Sequence, residues 1–164
     1  MALPNKVLPG FSASLYAQPT STPTPLTTAQ LSLVASVSPI AVSGNILNVE
    51  AVPAFGQDDA MANFSVAGSR QSDKIPTQSA PTSMTVTAAW NPSDAGLLLM
   101  RGDAYNGTVD RTFVIAATDG TNIVYYAFNG RVSQFTIDAQ PGAEAKCVFT
   151  IHPRGNQYGW SNNA

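Results

Sequence analysis

Few residues in this chain have side chains suited to catalysis. His152 is its only histidine and Cys147 its only cysteine. These are the types that would carry proton transfer or nucleophilic attack near neutral pH. A catalytic triad or a metal centre also needs partners at definable spacing. His152 has none, and it closes an apolar run beside Pro153, so it reads as structural or exposed. Cys147 alternates with Phe149 and Ile151, the spacing of one strand face, so a buried, inert thiol is expected. A single cysteine allows no intrachain disulfide. Asp58-Asp59 is an acidic pair without the DxDxDG spacing or distal Glu of a calcium loop. Solvated charges, or partners for Arg and Lys of a neighbouring copy, fit it better. Arg101-Gly102-Asp103 spells an integrin tripeptide, and Asn63-Phe64-Ser65 and Asn106-Gly107-Thr108 spell glycosylation sequons. Tripeptides recur by chance, and sequons mean little without a secretory signal. Tyr125, Tyr126 and Phe128 could stack bases, but no basic residues are interleaved with them, which favours core packing. No catalytic, cofactor-binding or metal site is expected.

Composition narrows the function classes. The 164 residues suffice for one domain with a sizeable core. Charged residues make up only 11%, about half the usual share. A surface so weakly charged suits a protein that buries much of it against copies of itself, although a secreted or β-rich monomer shares this composition. The net charge is −2, and Lys6, Arg70, Lys74, Arg101, Arg111, Arg131, Lys146 and Arg154 are scattered. Tight nucleic-acid binding usually needs a basic patch, so sequence-specific DNA recognition is not expected, whereas DNA sliding past is compatible. The first ten residues lack a basic region followed by an apolar stretch, so no signal peptide is expected. No apolar run approaches the roughly 18 residues of a membrane helix. The expected setting is a cytoplasm, followed by packing into a particle or complex.

Periodicity and turn signals predict the elements that position these residues. Residues 18–28 are almost all Pro, Thr and Ser and read as an extended arm, flanked by candidate strands at 11–17 and 30–37. Ser43-Gly44-Asn45, between two β-rich runs, predicts a hairpin over 40–52. Residues 57–81 are polar and aperiodic, with only Phe64 and Val66 suggesting a short strand, and predict a long unstructured loop. Met84, Val86 and Ala88 alternate with Thr85 and Thr87 as a half-buried strand. Trp90-Asn91-Pro92-Ser93-Asp94 predicts a helix start, with Asn91 as cap, Pro92 at the first helical position and Asp94 in the first turn. The helix runs through Leu97, Leu98 and Met100 and stops at Asn106-Gly107. Strands follow at 113–117 and, after the Asp119-Gly120 turn, at 123–138. The long strand is apolar at Val124, Tyr126, Phe128 and Val132, then changes parity to Phe135 and Ile137. That change predicts a bulge at Asn129-Gly130 or Ser133-Gln134. Gln140-Pro141-Gly142 turns into a last strand at 146–152, and 154–164 reads as an aperiodic tail. This order predicts a mainly β fold, a two-sheet sandwich or barrel carrying one α-helix, as a single domain over 1–164.

Several of these features come in a fixed order between residues 64 and 154. Phe64-Ser65-Val66-Ala67-Gly68 precedes a polar loop. A strand leads into Trp90-Asn91-Pro92-Ser93-Asp94-Ala95-Gly96, then come a helix and a strand ending in a tight turn. Phe128-Asn129-Gly130-Arg131-Val132-Ser133 follows, and a last strand finishes near Arg154. The set resembles the tail tube proteins of long-tailed bacteriophages, particularly the lambda-like major tail protein, which shows a Trp-x-Pro, an acidic residue and a Gly at the helix start. The resemblance implies a sandwich-like barrel of two sheets with one flanking helix, similar to contractile-phage tubes and the type VI secretion tube. It implies hexameric rings stacked head to tail, whose strands line a continuous lumen. The tape-measure protein and tail terminator would be partners, and DNA would pass without sequence-specific binding. The protein would act in the virion after assembly in the bacterial host cytoplasm, with no enzymatic role and no cofactor. Two departures stand out: the lambda-like protein's extra C-terminal immunoglobulin-like domain is not expected here, and the Pro/Thr-rich N-terminal arm (1–30) is longer.

Within that picture the 57–81 loop is the expected contact between stacked rings, through Asp58, Asp59, Arg70, Asp73 and Lys74. Trp90, Leu97, Leu98 and Met100 are expected to pack the helix into the core or against a subunit, so that aspartate at Leu98 would prevent folding or assembly. Tyr158 and Trp160 are expected contacts of the C-terminal extension. The alternative is a non-assembling β-sandwich module binding carbohydrate, a monomer with an exposed aromatic strip including Trp90 and Trp160. A small hydrolase is disfavoured by the missing catalytic partners.

Overall fold

Alternating apolar side chains make the principal strands. In β4 (Met84–Ala89) Met84, Val86 and Ala88 are buried while Thr85 is exposed. The computed structural model describes residues 12–21, 49–65, 72–118 and 123–163. The expected strand at 30–37, most of the 40–52 hairpin, the Asp119-Gly120 turn and Arg70 lie outside them.

The remaining elements are β1 (Ser12–Ser21), β2 (Gln57–Ser65), β3 (Ser72–Pro81), α1 (Ala95–Asn106), β5 (Asp110–Thr118), β6 (Ile123–Asp138) and β7 (Lys146–Asn163). Five strands form one antiparallel sheet in the order β1-β5-β6-β7-β4, and β2 and β3 form a separate two-stranded ribbon. Among the described residues the fold is mainly β with one helix, as its periodicity predicts. β5 pairs along the first half of β6, from Ile123 to Arg131, while β4 pairs with the start of β7. β5 and β4 thus attach to opposite halves of the long central pair, and the edge strand β1 lies beyond β5. Even so, Leu15 and Ala17 of one edge share a single core with Met84 and Val86 of the other. The sheet therefore curls over its own concave face, which Phe113, Ile115, Phe128, Cys147, Phe149 and Ile151 fill together with Leu97 and Met100 of α1.

The expected parity change in β6 is real. Ser133 faces Thr150 and Thr136 faces Val148, so β6 carries one extra residue there. Gln134 within this bulge has φ 57°, the left-handed region. The kink turns Phe135 inward, where its ring stacks on Phe149 at 5.8 Å and meets Trp90 edge-on at 5.8 Å. A second irregularity falls between Ala127 and Asn129, where the extra residues belong to β7. Beside it, Gly130 has a packing reason to be glycine. An added Cβ would come within 2.9 Å of Ile151 Cγ2 and 3.2 Å of Phe113 Cδ2.

Several boundaries differ from expectation for identifiable reasons. β1 runs on to Ser21, but its register jumps between Ala17 and Ser21, around Pro19, which has no N–H to donate. The cap of α1 is Asp94, not Asn91. Asp94 has extended backbone angles (φ −78°, ψ 112°), and its Oδ1 accepts from the N–H groups of Gly96 at 2.8 Å and Leu97 at 3.3 Å. Asn91 instead accepts from Ser93 N at 2.9 Å, and its own carbonyl accepts from Asp94 N, which places Pro92 in the preceding turn. The helix stops as predicted at Gly107, left-handed at φ 64°. The 154–164 tail is not aperiodic coil. β7 continues to Asn163, pairing with Ile123–Ala127 of β6.

Cys147 lies on the inward face with Phe149 and Ile151, all fully buried. Burial pushes its thiol pKa up, and the charge of Asp94 adds to this, so thiolate is scarce at neutral pH. A thiol reagent should leave native protein unlabelled and react once the chain is denatured. Rapid labelling of native protein would contradict this strand register.

Candidate functional site

Three surfaces among the described residues are distinctive. The first is the ribbon. Residues 57–81, expected as a loop, form β2 and β3, paired from Gln57↔Pro81 to Ser65↔Ser72. The sequence conceals them because every side chain of β2 whose burial is described is exposed, so no face shows apolar alternation. A two-stranded ribbon wet on both faces is marginal by itself. This one carries Phe64 at 59% exposure and Met61 at 55%, on opposite faces of the strand. Asp58 and Lys74 are exposed on it. Asp59 and Asp73 lie in its strands, where their side chains are not described.

The second surface is α1, positioned against β6. Leu97 and Met100 lie fully in the core and Trp90 packs against it. Leu98 does not join them. It is 43% exposed, because it stands about 100° around the helix from Leu97. Within the subunit a carboxylate there would remain in water, so of the expectation that Leu98→Asp prevents folding or assembly, the folding half is corrected, while the assembly half concerns contacts between subunits. The helix is locked instead by a buried ion pair. Asp103 receives both Nε and Nη2 of Arg111 in β5, the latter at 2.8 Å, and Arg111 Nη1 reaches the Gln18 carbonyl of β1 at 3.4 Å. Sequence reading passed over this pair, although a signal exists. Arg111 shares parity with inward Phe113 and Ile115, and Asp103 continues the Leu97, Met100 stripe at a spacing of three. Burial of Asp103 also leaves Arg101-Gly102-Asp103 without an accessible aspartate.

The third surface is the convex face of the sheet. Asp110 holds two guanidiniums, Arg131 Nε at 2.8 Å and Arg154 Nη1 at 2.9 Å, while Arg131 Nη2 donates to the Thr108 carbonyl at 3.2 Å. His152 is exposed and bridges Ser83 Oγ (2.8 Å from Nδ1) and Ser133 Oγ (2.7 Å from Nε2). It fastens the β3–β4 turn to β6. Thr112 Oγ1 donates to Asn129 Oδ1 at 2.9 Å beneath this face. At the other end of β7, Lys146 pairs with Glu50, whose hydrogen bond and charge raise the lysine pKa. Among the described residues no three His, Cys, Asp or Glu group as metal ligands would, and no helix is long and apolar enough to cross a membrane.

The chain is similar in fold to a phage-type baseplate protein. The similar chain belongs to a cryo-EM structure of the anti-feeding prophage baseplate, six-fold symmetrised. The TM-score is 0.59 at 10% sequence identity, over 94% of this chain and 95% of that one. Identity this low speaks to the fold alone. The likeness nevertheless spans nearly the full length of both chains, so it extends beyond the curled sheet. No known protein family and no curated protein matches the sequence. Of the residues expected at contacts, the fold places Asp58 and Lys74 on the exposed ribbon, separates Leu98 from Leu97 and Met100, and leaves Trp90 partly buried. Tyr158 and Trp160 fall within β7, with Trp160 opposite Tyr126 in register, and their side chains are not described.

Proposed function

We propose that this chain is a non-enzymatic structural subunit of a phage tail tube, self-assembling into stacked hexameric rings around a DNA-conducting channel. The observation that carries the reading is the near full-length fold likeness to a chain of a six-fold symmetrised prophage baseplate. The motif order between residues 64 and 154, the weakly charged composition and a ribbon with apolar side chains on both faces support it. Each subunit contributes its curled sheet to the ring, and the ribbon, with Asp58, Asp59, Arg70, Asp73 and Lys74 in or beside it, reaches the adjacent ring. The tape-measure protein and tail terminator are the further partners, and DNA passes without sequence-specific recognition. The protein is assembled in the host cytoplasm and resides in the virion. Trp90 is turned toward Phe135, which removes it from the exposed aromatic strip that a carbohydrate-binding module would need.

Negative-stain microscopy of the purified protein tests this directly. Six-fold rings or tubes are the expected result. Particles that remain monomeric across the accessible concentration range would sink the proposal.

A further inference from the structure

The ribbon joins the sheet through two short roots, and both are pinned beside the joint. On the β2 side Phe55 packs against the core and meets the Tyr126 ring edge-on at 5.0 Å. On the β3 side Ser83 Oγ lies 2.8 Å from His152 Nδ1, and His152 Nε2 reaches Ser133 Oγ of β6 at 2.7 Å. Met84 follows at once, fully buried and paired with Ile151. Only Gly56 and Thr82 separate these anchors from the first ribbon pair, Gln57↔Pro81. The two meet across the joint, where the Thr82 N–H donates to the Gly56 carbonyl at 3.1 Å.

Gly56 is the conformational half of this joint. Its φ is 152°, a value that residues with a Cβ rarely adopt. An added Cβ would meet nothing within 4 Å, so the direction of the backbone, and not crowding, requires glycine there. No described side chain of the ribbon belongs to the core cluster, so core packing does not fix the direction in which the ribbon leaves the sheet. The joint is left to fix it.

We infer that Gly56 and the Ser83–His152–Ser133 bridge form the joint that aims the ribbon at a neighbouring copy of this chain. Gly56 supplies the bend, and the bridge keeps the β3 root from turning with it. They are positioning residues, acting on assembly through the direction of the ribbon. The inference rests on the self-assembly reading above and deepens it by naming what points the contact element.

Spin labels on Met61→Cys in the ribbon and Tyr105→Cys on α1, both exposed positions, report that direction as an intrachain distance. Labelled chains are diluted in unlabelled protein of the same variant, and the buried Cys147 stays unlabelled. One narrow distance is expected in the parent. Gly56→Val, which disfavours positive φ, should shift it. Ser83→Ala, which leaves the backbone alone, should broaden it. Each should raise the concentration needed for assembly about tenfold, because a misdirected contact repeats around every ring. Thermal melting should stay near that of the parent, since neither position lies in the core cluster. Variants that keep the parent distance, or that change it and still assemble at the parent concentration, would overturn the joint and leave the proposed function standing. Native protein that forms no multi-copy particle would overturn both.

Discussion

Asp103→Ala should destabilise the fold by about 3–5 kcal/mol, because it strips a buried guanidinium of its carboxylate. Arg111 and Asp103 are both buried, and the pair joins α1 to β5, with a further bond from Arg111 to the Gln18 carbonyl of β1. Removing the carboxylate takes the opposite charge away from a guanidinium held largely out of water. For a domain of this length, each kcal/mol shifts the melting temperature by roughly 2–4 °C. A loss on the order of 10 °C is therefore expected in a thermal melt. The double variant Asp103→Leu, Arg111→Met removes both charges and keeps similar volume, so it should recover most of that loss. If Asp103→Ala melts within about 2 °C of the parent, Arg111 finds another acceptor and the pair is not what fastens the helix.

Replacing residues 57–81 by a short Gly-Ser turn should do the reverse, sparing the fold and stopping tube elongation. No described side chain of the ribbon belongs to the core cluster, and those of β2 all face solvent. Its loss therefore removes little intramolecular burial, and the melting temperature should stay near that of the parent. An exposed ion pair contributes little singly, but symmetric repetition around a ring makes many weak contacts decisive. Particle length by microscopy is the measurement, with melting as the control. Full-length tubes from the shortened chain would show that the ribbon does not stack rings. The N-terminal arm, or the 154–164 extension with Tyr158 and Trp160, would then be the better candidate.

Much of this protein was determined by local sequence. Period-two alternation placed β4 and the start of β7, because a strand with one buried face writes that face into every second residue, whereas β5 shows as a continuous apolar run buried on both faces. The same reasoning put Cys147 inside with Phe149 and Ile151, and a change of parity located the β6 bulge, since one extra residue must reverse which side chains face the core. Asn106-Gly107 ended the helix where a left-handed residue was needed. Tertiary structure decided the rest, wherever the stabilising partner lies far along the chain. The ribbon and the second half of β7 are held by backbone pairing, which leaves no apolar period when both faces are polar or wet. The choice of Asp94 over Asn91 as cap turned on which of two similar side chains reached the first free N–H groups. The separation of Leu98 from Leu97 followed from how α1 is rotated on β6, and that rotation is anchored by an ion pair between residues whose charges alone would have suggested solvent.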